Sequence, residues 1–167
     1  MREGVPMHRS NRPENGSRKT RRPVLRRAEP ADATGIGDVF LAARAAMSYL
    51  PRLHSDERTR AWIAHVVLVE CKVCVAEIDG RIVGFAALRG RWLEHLYVDP
   101  AHQGLGIGSE LLESAITARG ARLELRVFEQ NEGAARFYER HGFSRVHRGD
   151  GGDNEEGLPD LHYRREA

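Results

Sequence analysis

The sequence predicts a mixed α/β fold, and three patterns support that prediction. Apolar and polar residues alternate with a period of two over residues 72–98, and the pairs Asp79-Gly80 and Arg89-Gly90 supply tight turns, which indicates an antiparallel meander. Apolar residues then recur at helical spacing over residues 107–116. A short apolar strand, 123–127, follows between two helical patterns, so helices and strands alternate in the second half of the chain.

Local start and stop signals give the remaining elements. Their predicted order is β-α-α-β-β-β-α-β-α-β-β, and about four helices flank a central, mostly antiparallel, twisted sheet. In chain order the signals predict a strand at 24–27, a helix from 31–34 to about Tyr49 ended by Leu50-Pro51, a second helix opened by Ser55 to Glu57, the meander 72–98, a helix ended by Gly120, a strand at 123–127, a helix from Asn131 through Arg140, and paired strands at 143–147 and 158–164.

Length and composition indicate one ordinary globular domain. The chain has 167 residues, of which 41% are hydrophobic and 30% charged, so we expect a single folded domain over residues 23–167. Residues 1–22 carry seven Arg and Lys residues against two Glu and no apolar periodicity, which predicts a disordered basic tail. The tail contains no aromatic residue that could stack on bases, so nucleic acid is not an expected partner.

Other classes of protein are disfavoured by what the sequence contains. No run approaches the ~18 apolar residues of a membrane span, and no apolar segment follows the basic tail as in a secretory signal. We therefore expect a cytoplasmic protein with no membrane partner. Cys71 and Cys74 have no second pair to complete a zinc site, so no metal is predicted.

The strongest functional signal is the glycine-rich segment that follows the third meander strand. Glycines between a strand and a helix turn backbone N–H groups toward an anion, and the helix N-terminus adds the positive end of its dipole. A dinucleotide fingerprint would need glycine at Ser109, and a phosphate-binding P-loop would need a lysine that the segment lacks. Residues 103–109 are therefore predicted to hold a pyrophosphate, and a turn needed only for packing is the alternative.

This segment resembles the acyl-CoA signature of the GNAT superfamily, Q/R-x-x-G-x-G/A, read at Gln103, Gly106 and Gly108. Residues 131–143 resemble the family's second motif, N-x-x-A-x-x-x-Y-x-x-x-G-F. The resemblance implies a sheet splayed between its fourth and fifth strands, acetyl-CoA as acyl-donor substrate, and no metal. The residues that it implies for the acyl-CoA site are Leu96, Tyr97, Val98, Gln103, Gly104, Leu105, Gly106, Ile107, Gly108, Ser109, Asn131 and Tyr138.

The same resemblance implies an N-acetyltransferase that transfers an acetyl group directly to a primary amine. The acceptor is then a small-molecule amine or a protein amino group, and a homodimer is a further expectation. A non-catalytic acyl-CoA-binding regulator is the alternative function. Residues 47–51, 94–98 and 154–160 resemble a bacterial GNAT subgroup, although Gly157 departs from the charged or polar residue that is usual there.

Three side chains are candidates for catalysis. Tyr138 occupies the motif position from which a hydroxyl can donate to the departing sulfur, and a purely packed tyrosine is the alternative. Glu94, with the strand parity of Leu96 and Val98, and Glu124, on the neighbouring strand, are candidate general bases; each could instead be an ordinary carboxylate paired with an arginine. His95 has the opposite parity to Glu94 and is expected to be packed or surface-facing.

Two segments are expected to contact the acceptor amine, residues 47–54 and 150–160. The second segment holds five carboxylates and no basic residue. Opposite charge raises the local concentration of a cation, so we expect a positively charged amine to be preferred. A solvated loop whose charges only keep it soluble is the alternative.

Overall fold

The computed structural model describes residues 22–120 and 122–166. The predicted disordered tail, except for Arg22, lies outside these residues. The fold is built on a seven-stranded sheet with the order β1-β2-β3-β4-β5-β7-β6. The strands are β1 (Val24–Arg27), β2 (Lys72–Ile78), β3 (Arg81–Arg89), β4 (Trp92–Val98), β5 (Leu123–Phe128), β6 (Ser144–Gly149) and β7 (Asp160–Arg165).

The helices follow the predicted order. They are α1 (Ala33–Ala45), α2 (Asp56–Trp62), α3 (Leu68–Glu70), α4 (Ile107–Arg119) and α5 (Glu132–Arg140). A π-helical turn, Ile63–Val67, joins α2 to α3, so the described chain has four helical segments besides two 3-10 turns, Pro30–Asp32 and Pro100–His102. The mixed α/β fold, the mostly antiparallel sheet and the order of its elements are confirmed.

Helix α1 ends earlier than the sequence predicted. It stops at Ala45 instead of about Tyr49, and single turns, in which Met47 N donates to Arg44 O and Leu50 N to Met47 O at 3.0 Å each, take its place. The residue before a proline disfavours helical backbone, so Leu50 cannot extend the helix into Pro51. The chain therefore leaves α1 as an irregular segment over residues 46–55.

The sheet is splayed between β4 and β5, as predicted. All other neighbouring strands pair antiparallel, whereas β4 and β5 are parallel and pair only at Trp92 and Glu124. Glu124 N donates to Arg91 O at 2.9 Å at this closed end. Beyond that point the two strands diverge, and their C-terminal ends, Val98 and Phe128, are unpaired with each other.

Two apolar clusters pack on opposite faces of the sheet. One joins α4 and α5 to β3, β5 and β7 and includes Leu111, Leu112, Leu125 and Tyr138. The other joins α1 and the π-helical turn to β2 and β3 and includes Phe40. No helix within the described ranges is long and apolar enough to cross a membrane.

The core position of Leu112 gives a test of this packing. Leu112 is 0% exposed, so Leu112→Ala should lower the free energy of unfolding by about 2–5 kcal/mol, because a cavity is left behind. Leu105→Ala makes the same change at a side chain that is 48% exposed, and its effect should stay below about 1 kcal/mol. Chemical denaturation of both variants compares the two losses, and equal losses would contradict this core.

Candidate active site

The glycine-rich segment forms an open concave loop between β4 and α4. Asp99 starts it, because its Oδ1 accepts from Ala101 N at 2.9 Å and its carbonyl accepts from His102 N at 2.8 Å. Gly104 and Gly106 have φ angles of 76° and 83°, a left-handed conformation that side chains with a Cβ disfavour. A Cβ at either glycine would have no neighbour within 4 Å, so the backbone faces open space.

This loop fits an anion such as a pyrophosphate. Gly106 is the N-cap of α4, and the first N–H groups of a helix have no partner inside it. Gln103 Nε2 donates to Val98 O at 3.2 Å and ties the loop to the end of β4. At Gly108 a Cβ would lie 3.6 Å from the Phe137 ring and 3.8 Å from Val98 Cγ2, so a larger side chain would press on α5 and on the end of β4. We call residues 103–109 the anion cradle.

A β-bulge changes which way the side chains of β4 point. His95 pairs with Ala87 and Leu93 with Leu88, so Glu94 is an extra residue between two consecutive pairs. Leu93 consequently shares the α4 face with Leu96 and Val98. The prediction that Glu94 shares the face of Leu96 and Val98 is therefore wrong, because an inserted residue reverses strand parity.

Glu94 lies instead beside Arg89, the last residue of β3. Its Oε1 accepts from Arg89 Nε at 2.9 Å, and the Glu94 side chain is 28% exposed. Burial raises the pKa of the Cys71 thiol, and the negative charge of Glu94 raises it further. Glu94 is paired with an arginine, as the alternative interpretation anticipated, but it keeps contact with solvent.

Glu124 is the centre of a buried charge cluster at the closed end of the splay. It is 1% exposed, and its oxygens lie 2.8 Å from His162 Nε2, 2.9 Å from Arg91 Nε and 3.6 Å from Arg164 Nε. Burial alone would raise the pKa of Glu124, but His162, Arg91 and Arg164 together lower it below its usual value. The carboxylate thus holds its charge tightly, which disfavours it as a base.

A cavity of about 750 Å³ opens on the face of the sheet opposite α4. Its walls come from α1, the segment 46–55, α2, His95 of β4, and the loop between β6 and β7. Both segments that the sequence assigned to the acceptor reach it: Met47, Ser48 and all residues from Leu50 to His54 from the first, and Glu155 and Glu156 from the second. Phe40 and Trp62 add an aromatic wall.

The carboxylates at this cavity, Asp56, Glu155 and Glu156, share its lining with three arginines, Arg44, Arg52 and Arg58, and each has a basic partner. Glu156 accepts from Arg44 Nη2, Glu155 lies 3.0 Å from His54 Nε2, and Asp56 lies 2.6 Å from Arg52 Nη2. Within the acidic loop, Asp150 is used in a turn to Gly152 N, and Asp160 pairs with Arg126 at 3.7 Å. The net negative field expected from the loop's sequence is therefore largely cancelled at the cavity.

His95 is a packed residue of this cavity wall, which is one of the two environments that its strand parity predicted. It lies on the face of β4 opposite Leu96 and Val98, and its ring contacts Trp62 and Phe40 at centroid distances of 5.3 and 6.0 Å. Burial lowers the pKa of His95 to about 4, so the imidazole is neutral near pH 7. Its contact with Trp62 and Phe40 was not predicted, because those residues belong to helices that are distant in sequence.

Tyrosine side chains gather at the open end of the splay. Tyr138 of α5 packs on Phe143 at 5.6 Å, and burial, with a smaller contribution from Tyr97, raises its pKa well above the usual value. Tyr138 therefore stays protonated and can donate. Asn131 caps α5 as predicted, since its Oδ1 accepts from Ala134 N at 3.1 Å.

The structure thus combines a splayed sheet, a glycine-rich loop at the end of β4 and a cavity on the face opposite α4. A family model described as "Acetyltransferase (GNAT) domain" matches residues 70–145. The L-methionine sulfoximine/L-methionine sulfone acetyltransferase of Salmonella typhimurium is 30% identical over 137 residues, which cover 72% of this chain and 80% of the relative. The chain belongs to the GNAT acetyltransferase family.

Other relatives match shorter stretches. The peptidyl-lysine N-acetyltransferase YjaB of Escherichia coli is 41% identical over 71 residues, covering 42% of this chain and 47% of YjaB. The chain spans only 37% to 52% of the length of the first curated relatives it matches. The spermine/spermidine N(1)-acetyltransferase of Bacillus subtilis is 33% identical over 82 residues, covering 39% of this chain and 54% of that relative.

Solved structures share the fold along most of the chain. The solution structure of apo-form YjaB from Escherichia coli has a TM-score of 0.69 at 26% identity and covers 85% of this chain and 96% of YjaB. The structure of yncA from Salmonella typhimurium with its cofactor acetyl-CoA has a TM-score of 0.66 at 23% identity, over 86% and 92% of the two chains. The predicted GNAT-type fold is confirmed.

The depressed pKa of His95 predicts a pH dependence of stability. Its value of about 4 in the folded state lies below the usual ~6.5, so the unfolded chain binds the proton first as the pH falls. The stability that the neutral His95 contributes is fully present above pH ~6.5. As the pH falls from ~6.5 to ~4, the free energy of unfolding decreases by at most about 3 kcal/mol.

His95→Gln should remove this part of the pH dependence, which urea denaturation between pH 7 and 4 would measure. His147→Gln, the same change at an exposed position of β6, should follow the wild-type curve. If the two variants follow one curve, the cavity wall does not bury His95 as described.

Proposed function

We propose that this protein transfers the acetyl group of acetyl-CoA directly to a primary amine. One observation supports this most: β4 has no β5 partner beyond Trp92, the cavity contacts this unpaired stretch of β4 at His95, and the anion cradle follows its end. A donor held by its phosphates and an acceptor held in the cavity would thus approach each other through the gap. Acetyl-CoA would supply the activated acyl group as a thioester.

The cradle and the end of β4 would position the donor. Backbone N–H groups of residues 103–109 would bind its phosphates, where the α4 dipole favours negative charge. The residues Leu96 to Val98 lose their β5 partner at the splay, so their backbone groups are free on that side to bond an amide-containing arm. Tyr138 would donate a hydrogen bond to the sulfur as the C–S bond breaks.

The acceptor amine must lose a proton. For a free alkyl ammonium with a pKa near ~10.4, deprotonation at pH 7 costs about 4 kcal/mol. Glu94 is the candidate base that this arrangement favours, because it is adjacent to His95 in sequence, acts electrostatically on that ring, and keeps contact with solvent. Glu124 is left as a structural anion, and His95 would accept a hydrogen bond from the amine.

The identity of the amine is the least constrained part of the proposal. The relatives are named for acetylation of peptidyl-lysine, of spermine or spermidine, and of L-methionine sulfoximine or L-methionine sulfone, so both a small-molecule amine and a protein amino group agree with them. Among the described residues no group of three or more His, Cys, Asp or Glu side chains is placed to hold a metal ion. No observation favours the non-catalytic regulator over the transferase.

Acetyl-CoA should stabilise the protein through the anion cradle. At a ligand concentration 100-fold above Kd the free energy of unfolding should rise by ~2.7 kcal/mol, measured as a higher Tm, whereas NAD and ATP should do much less. Gly108→Glu should abolish the shift, since its side chain crowds Phe137 and Val98 beside the cradle and its carboxylate repels phosphate. An unchanged shift in that variant would place the donor elsewhere, and equal shifts from all three nucleotides would reject acetyl-CoA as the specific ligand.

Tyr138→Phe should lower kcat by at least about tenfold, because the leaving sulfur loses its hydrogen bond. The affinity for acetyl-CoA, measured by calorimetry, should change little, since the hydroxyl acts on the transition state. The assay follows CoA release with a panel of amines. Wild-type kcat in the variant would remove Tyr138 from the mechanism.

A further inference from the structure

Tyr49 is a polar group for which neither the fold nor the site described so far has a use. It belongs to the irregular segment 46–55, but unlike Met47, Ser48 and Leu50 it does not line the cavity. Its ring instead packs edge-on against Phe128, at 6.2 Å between centroids. Phe128 is the last residue of β5, so Tyr49 lies at the open end of the splay.

The hydroxyl of Tyr49 is buried and forms no hydrogen bond of ordinary length and angle among the described residues. The Asn131 side chain lies close enough to lower the pKa of Tyr49 by hydrogen bonding, but its Oδ1 already accepts from Ala134 N at 3.1 Å. A buried phenol without a well-formed hydrogen bond costs stability, and Tyr163 avoids that cost by donating to Glu139 Oε1 at 2.8 Å. A buried donor of this kind beside the splay is available to a ligand.

The surroundings of Tyr49 keep its phenol protonated. Burial raises the pKa of Tyr49, and Tyr97 raises it further, so the phenol can donate. The Arg44 guanidinium, which is paired with Glu156, is near enough to lower the pKa of both Tyr49 and Tyr97. Tyr97 also acts electrostatically on Tyr138, so Tyr97 lies within electrostatic range of both Tyr49 and Tyr138.

We propose that Tyr49 is a catalytic residue whose hydroxyl donates a hydrogen bond to the thioester carbonyl oxygen of the donor. This role rests on the proposed acetyl transfer. In that step the amine nitrogen bonds to the carbonyl carbon while the oxygen takes on negative charge; the C–S bond then breaks, the sulfur leaves with the electron pair and is protonated, and the nitrogen loses its proton. A donor aimed at the oxygen stabilises it most when the charge is greatest. Tyr138 serves the sulfur, and Tyr49 serves the oxygen.

The test uses Tyr49→Phe and, as the matched control, Tyr163→Phe, which removes a buried hydroxyl that already has a protein partner. Isotope-edited infrared spectra of acetyl-CoA carrying a 13C-labelled carbonyl report the C=O stretch, which a hydrogen bond moves to lower frequency. The stretch should be lowered on binding to the wild type and to Tyr163→Phe, and should return toward its free value in Tyr49→Phe. No acceptor amine is needed for this measurement.

Steady-state kinetics and thermal denaturation complete the test. Tyr49→Phe should lower kcat at least about tenfold without lowering Tm, because it removes a hydroxyl without a well-formed hydrogen bond, whereas Tyr163→Phe should lower Tm and keep kcat. An identical C=O stretch and kcat in Tyr49→Phe and wild type would overturn the role of Tyr49. Absence of acetyl-CoA binding to the wild type would instead reject the proposed function, and this role with it.

Discussion

The structure depends on one constraint, the separation of β4 and β5 after a single pair. Trp92 and Glu124 hold the strands together at one end only. The buried Glu124 carboxylate fastens that end, because Arg91 comes from the turn before β4 and His162 from β7. Since a buried anion is tolerated only when it is well paired, this cluster fixes where the sheet must be joined, and therefore where it can open.

The groups proposed to hold the donor, and the two tyrosines proposed to act on it, lie at or beside the open end. The cradle follows β4, Asn131 and Tyr138 follow β5, and Tyr49 enters from the segment after α1. These parts are distant in sequence, so only the divergence of two adjacent strands can bring them to one point. The same divergence leaves backbone groups of β4 unpaired, which would be costly unless another molecule bonds to them.

The parts of this arrangement that could be predicted from sequence are local. The glycine loop and the Asn131 cap each depend on a few neighbouring residues, so the sequence predicts their positions. The direction of Glu94 was not predicted, because the bulge is set by pairing with β3 and breaks the alternation of side chains at that residue. Glu155 pairs with His54, and Glu156 pairs with Arg44. These partners are about one hundred positions apart in the chain, so no local sequence pattern predicts the pairing.

That pairing changes how the cavity would select and activate its acceptor. With its carboxylates neutralised, the cavity offers little net charge, and its aromatic wall removes water from whatever enters. The effect on a cation is already visible, since burial moves the pKa of His95 from 6.5 to about 4. Desolvation acts in the same direction on an alkyl ammonium in the same place. Binding itself would therefore lower the pKa of the ammonium and make its proton easier to remove before the nitrogen attacks. A cavity of this kind needs only a weak base, which agrees with a partly exposed Glu94 already paired with Arg89.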